Sequence, residues 1–286
     1  MSEKNDKDGE RGAAPRLGTR AWVAISCLTL IVGVLAGHFL LGGAGTVALS
    51  GRTELGSTEL DATIARYTYS GKTTSVTARE VLTEAGYSAN DDGTYPVPAA
   101  SDVLSYVQNE IILADAAARG IAVTDEELSE FATSTYGTDD YASLASTYGM
   151  EEDDVVEALR EGAVVSKLLD SVVTTELPEL PSEPEAPAEG EEDVATADYA
   201  SYVISLLGDE WDSEANDWAT TDGTYYATLS SYDISNEGAT YAAASAAYSV
   251  AQSAYKTAST ERSEQWHDYT SSVLSQATIQ LGSLSE

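Results

Sequence analysis

Few side chains in this chain are of a type and spacing that could run a reaction. There are two histidines, His38 and His267, and one cysteine, Cys27. A hydrolase or protease would need a nucleophile elbow of Gly-x-Ser-x-Gly form, an HExxH helix or a phosphate-cradling glycine loop, and none is present. His267 stands beside Asp268 in a polar stretch, where a solvated helix residue is the plain reading. Acidic clusters at Asp91-Asp92, Asp139-Asp140 and Glu151 to Asp154 lack the alternating oxygen ligands and distal Glu of a calcium loop. Helix starts and loops account for them. A single cysteine excludes a disulfide framework and a multi-cysteine metal site. No cofactor or metal is expected.

Binding chemistry is better represented. Tyr136, Tyr141 and Tyr148 surround a short acidic segment. Tyrosine offers broad contact area at little rotamer cost, which suits contact with varied chains. These three are the candidate client-binding residues, with ordinary core packing as the alternative. The net charge of −34 disfavours nucleic acid and anionic lipid as partners, because both are held through Lys and Arg. Solubility is the plain role of that charge.

The elements that must position these rings follow from punctuation. Residues 62–69 alternate, a Ser70-Gly71-Lys72 turn follows, and residues 73–76 return, which reads as a small β-hairpin. Thr77-Ala78-Arg79-Glu80 is a capping box, opening a helix that ends at Gly86. Leu104, Val107, Ile111, Ala114 and Ala118 share one face of a helix over 102–119. A second capping box, Thr124 to Glu127, opens a helix to Tyr136, stopped by Gly137. A short helix over 139–148 closes at Gly149. Glu151 to Asp154 then suit the positive end of a further helix carrying Val155, Leu159, Val165, Leu168 and Val172.

Six zones result. Residues 1–20 are a tail with Lys4, Lys7, Arg11, Arg16 and Arg20. Residues 21–42 are expected to form one transmembrane helix: the run from Ala21 to Leu41 is uncharged and long enough to cross roughly 30 Å of hydrocarbon. The basic flank places the N-terminus in the cytoplasm and the rest outside the membrane, with residues 21–42 touching the lipid bilayer. A cleaved signal peptide is the alternative, since small residues follow the run. Residues 43–59 are a spacer and 60–175 a patterned helical domain. Residues 176–193, rich in Pro and Glu, are an extended linker that buries no core. Residues 194–286 form a helical C-terminal unit. In it, 198–207, 211–218 and 238–258 read as helices, and Tyr241, Tyr248 and Tyr255 form a stripe expected to pack against a partner helix carrying Trp266, Thr270, Val273, Ala277 and Leu281.

The segments from Thr77 to Glu80, from Ile111 to Leu128 and from Tyr148 to Val155 resemble the N-terminal chaperone domain of SurA-type foldases, related to the C-terminal domain of trigger factor. The resemblance covers Thr63 to Val173. It implies a mostly α fold with a small hairpin and a role in binding unfolded or secreted polypeptides. Related PrsA-like foldases join this domain to a parvulin-type prolyl isomerase. The histidine pair of parvulins is missing here, so the resemblance implies binding without isomerase activity. The alternative is a surface scaffold with one dedicated partner.

Overall fold

The computed structural model describes residues 52–282. In chain order its elements are β1 (Glu54–Leu55), β2 (Thr63–Tyr69), β3 (Lys72–Thr77), α1 (Ala78–Glu84), β4 (Tyr95–Pro96), α2 (Ala100–Ala118), α3 (Asp125–Tyr136), α4 (Tyr141–Tyr148), α5 (Glu152–Val172), α6 (Ala197–Leu207), β5 (Trp211–Asp212), β6 (Asp217–Trp218), α7 (Thr224–Leu229), α8 (Tyr241–Leu274) and β7 (Thr278–Leu281). Two compact units emerge. Among the described residues, one holds 52–171 together with 270–282, and the other holds Val172–Tyr269.

In the first unit, β2 and β3 form the hairpin, turning at Ser70 and Gly71 with φ of 49° and 77°. Both residues sit in the left-handed region, where glycine pays no Cβ penalty. Thr77 then ends β3 and caps α1: its Oγ1 accepts from the Glu80 N–H while the Glu80 carboxylate accepts from the Thr77 N–H. Thr124 and Glu127 repeat the device on α3. β2 is the centre of a three-stranded sheet, with β7 as its other antiparallel neighbour. Ile64, Val76, Val81, Val103, Val107 and Ile111 are fully buried and make the core of this part.

The second unit has a different core. Ala200, Val203 and Leu207 of α6 meet Ala243, Ala244 and Ala247 of α8, with Trp211 and Leu229 closing the cluster. Small side chains on α8 let backbones approach closely, and the rings do the filling.

Four expectations are corrected. The single-pass membrane protein is the first. Among the described residues no helix is long and apolar enough to cross a membrane. The longest helix, α8 with 34 residues, carries Lys256, Glu261, Arg262, Glu264 and Asp268; each such charge at a bilayer centre costs about 2.5–3.5 kcal/mol. Residues 1–20 and 21–42, on which the membrane placement rested, lie outside the described residues, as does most of the 43–59 spacer. The fold described is therefore mostly helical with small sheets and no membrane-spanning helix.

Second, 211–218 is a two-stranded hairpin rather than a helix. The Asp212 carboxylate accepts the N–H groups of Glu214 and Ala215, and Asn216 takes φ 53°, so the side chains write the turn. Trp211 and Trp218 pair across it edge to face, 5.7 Å apart. Third, the expected pair of helices over 238–258 and 266–281 is one helix, α8, followed by a strand. No Gly or Pro interrupts 241–274, so nothing breaks the helix. Fourth, the 176–193 segment contains no regular element, yet it is anchored. Tyr199 donates to the Glu185 carbonyl at 2.7 Å, Tyr202 donates to the Ser182 carbonyl at 2.6 Å, and Pro184 is buried.

Candidate binding groove

α3, α4 and α5 pack on a small core of Leu128, Ala132, Leu144, Ala145, Val155, Leu159 and Ala163. Two cations fix α5 against the start of α3. Arg160 donates to the Val123 carbonyl at 3.1 Å and to Asp125 at 2.9 Å. Lys167 donates to the Ala122 carbonyl at 2.9 Å and pairs with Glu127. The helices are thus held without filling all the space between them.

What remains is a groove of about 460 Å³. Its floor is one face of α5, with Val155, Ala158, Leu159, Gly162 and Val165 at helical spacing. Phe131 lies over Gly162: a Cβ there would meet Phe131 Cζ at 3.2 Å and Cε1 at 3.3 Å. The side wall holds Tyr136, Leu144, Tyr148 and Met150. Tyr136 and Tyr148 meet edge to face with centroids 6.1 Å apart. Burial pushes the Tyr136 hydroxyl pKa above its ordinary value, with the neighbouring Tyr148 adding to the shift. Gly149 ends α4 in the left-handed conformation at φ 69°, which glycine adopts with no Cβ penalty, and Met150 follows it into the groove lining. Tyr148 is 52% exposed and Met150 42%. An exposed ring and a thioether side by side are what a surface built for adaptable apolar contact requires.

The remaining lining is polar and acidic: Glu84 from the end of α1, Asn109 from α2 and Glu161 from α5. Asn109 donates to Glu84 Oε1 at 3.4 Å. Burial of the carboxyl pushes the Glu84 pKa up to about 7, helped by the nearby charges of Glu161 and Glu110, with the Asn109 hydrogen bond opposing. Glu161 is raised by burial and then by Glu110 and Glu157. Glu110 is raised by burial as well, against the hydrogen bond from Tyr67. Among the described residues no group of His, Cys, Asp and Glu is placed to hold a metal ion.

The three tyrosines singled out from the sequence therefore part company. Tyr136 and Tyr148 line the groove. Tyr141 is half-buried against the α3–α5 core and is not in the lining. Sequence reasoning missed Met150, Phe131, Gly162, Glu84, Asn109 and Glu161. Only Gly162 carried a legible signal: a glycine inside a strong helix costs about 1 kcal/mol against Ala and so points to close packing.

No family model, curated protein or solved structure matches this chain.

Proposed function

We propose that this protein is a chaperone-like polypeptide-binding protein that holds apolar segments of unfolded chains, without prolyl isomerase activity. The observation that carries the reading is the apolar groove on α5, walled by Tyr136 and Tyr148 and leaving Tyr148 and Met150 open to solvent. The SurA-like pattern from Thr63 to Val173 supports it from the sequence side. A net charge of −34 keeps a loaded complex apart from its neighbours, which is what a holding protein needs. An edge-to-face ring pair and a flexible thioether adapt to different apolar side chains, which favours many weak clients over one shaped partner.

The test is light scattering with several unrelated model proteins unfolding in the presence of the full-length chain. Dose-dependent suppression of aggregation is expected for most of them. In the same preparation, exchange of a proline peptide stays at its unaided rate of tens of seconds. No suppression with any client would sink the holding role and leave a single dedicated partner as the reading.

A further inference from the structure

Among the described residues, the two carboxylates that line the groove, Glu84 and Glu161, belong to no ion pair. The ion pairs Arg52–Glu59, Arg79–Asp61, Arg119–Asp115, Arg160–Asp125 and Lys167–Glu127 use none of Glu84, Glu110 and Glu161, and Lys72 acts on Glu110 from β3. Two carboxylates from different helices, Glu84 of α1 and Glu161 of α5, thus stand beside the apolar floor, with Glu110 of α2 near enough to raise both. Converging like charges at the edge of an apolar site is costly unless something positive arrives. The set is not arranged to hold a metal ion. A cation on a flexible apolar stem fits both halves of the site, because its methylenes can lie on the floor while its charged tip reaches the carboxylates.

We propose that the groove takes an apolar polypeptide segment carrying one Lys or Arg, with the cationic tip held by Glu84 and Glu161 beside the Tyr136–Tyr148 wall. This rests on the polypeptide-binding reading above and names the class of segment. Segments with an acidic residue at that place are rejected by the same carboxylates. Binding also moves a proton. In the free protein, desolvation of its carboxyl beside Glu161 and Glu110 pushes the Glu84 pKa up to about 7, although the residue keeps an exposed edge. A cation beside it restores the ordinary carboxylate range, so the complex has fewer protons than the free protein. Affinity for a cationic segment must then rise as pH rises through 7. The other groups facing Glu84 and its neighbours are Glu80 on α1, Tyr106 on α2, Glu157 on α5, Lys72 on β3 and Tyr67 on β2, and Lys72 acts to lower Glu110 rather than Glu84.

The experiment uses the full-length protein and two fluorescein-labelled Leu/Ser octapeptides, one with a central Arg and one with Gln in its place. Fluorescence anisotropy at pH 6 and pH 8 reads the affinities. The Arg peptide should bind more tightly at pH 8, by about threefold to tenfold, the upper figure being the full return of a group near 7 to its ordinary range. The Gln peptide should bind at both pH values with no such rise. The double variant Glu84→Gln, Glu161→Gln removes charge without changing shape. It should lose the Arg peptide's advantage over the Gln peptide and the rise of that advantage with pH. Equal affinities for the two peptides at both pH values overturn the inference while leaving the groove intact as a binding site. Failure of both peptides to bind overturns both readings, and a dimer in sedimentation then gives the groove to a second copy.

Discussion

Both units of this chain are rich in aromatic side chains, and they use them in opposite ways. In the Val172–Tyr269 unit the rings are committed. Trp211 packs against Trp218, Trp218 meets Tyr226 at 5.1 Å, and Trp211 Nε1 donates to Asn236 Oδ1 at 3.0 Å. Tyr199 and Tyr202 spend their hydroxyls on the 176–193 segment. In the α3–α5 region the core is made by aliphatic side chains, and Tyr136, Tyr148 and Met150 stand around a gap left between helices. A ring whose hydrogen bond and faces are all satisfied is structure. A ring beside an unfilled groove is available for a ligand. Composition alone cannot distinguish the two; the packing of the neighbours does.

That contrast can be broken by substitution. The largest effect is expected from Trp211→Ala, which empties a nearly fully buried site at 7% exposure. Loss of about 3–5 kcal/mol is expected, read by denaturant unfolding. If unfolding free energy hardly moves, the second unit does not depend on its rings. Next, Tyr202→Phe removes only the hydroxyl that holds the Ser182 carbonyl. It should cost about 1 kcal/mol and speed proteolytic cutting within 176–193. Unchanged cutting would mean that the segment is held by something other than this bond.

A smaller effect is expected at Glu84. Its pKa lies above the ordinary carboxylate value in the folded protein, so the folded state binds more protons than the unfolded state between about pH 4.5 and 7. Its contribution is therefore most favourable below the ordinary carboxylate pKa and is lost as pH rises through 7. Glu84→Gln should raise the melting temperature at pH 8 and leave it nearly unchanged at pH 4. Part of the side chain faces solvent, which limits the gain to about 1 kcal/mol. A gain at pH 4 as large as that at pH 8 would show that charge is not its source.

Much of the first unit was legible in the sequence, because its signals are local. Thr77 with Glu80, Thr124 with Glu127, and the glycines at 137 and 149 mark helix ends within four residues of the bonds they make. The hairpin at Ser70-Gly71 is equally local. The misreadings have a common cause. Trp211 and Trp218 stand seven apart, which suits a helix, but Asp212 and Asn216 between them make a turn. Thr278 to Leu281 alternates polar and apolar, a strand signal that competes with the helical spacing of Ala277 and Leu281. Its partner β2 lies about two hundred residues earlier, and no local pattern announces such a pairing. The same holds for the groove. Glu84, Asn109 and Glu161 come from three helices and meet only after packing, so their shared environment is a tertiary property. Tyr136 and Tyr148 were legible as rings, but Tyr136 and Tyr141 both pack on the same core and only Tyr136 reaches the groove, a difference set by tertiary packing.

The central claim is that the Tyr148–Met150 edge is available for binding rather than for stability. Tyr148→Ser combined with Met150→Ser tests it, because both side chains are largely exposed and neither is in the buried core. Apart from the Tyr136–Tyr148 ring contact, worth about 0.5–1.5 kcal/mol, surface changes of this kind shift stability by about 0.5 kcal/mol or less. The decisive measurement is suppression of client aggregation by this double variant, at a temperature well below its melting point. Suppression should fall severalfold while the melting temperature stays within a few degrees of the parent. Full suppression by a stably folded double variant would contradict the account.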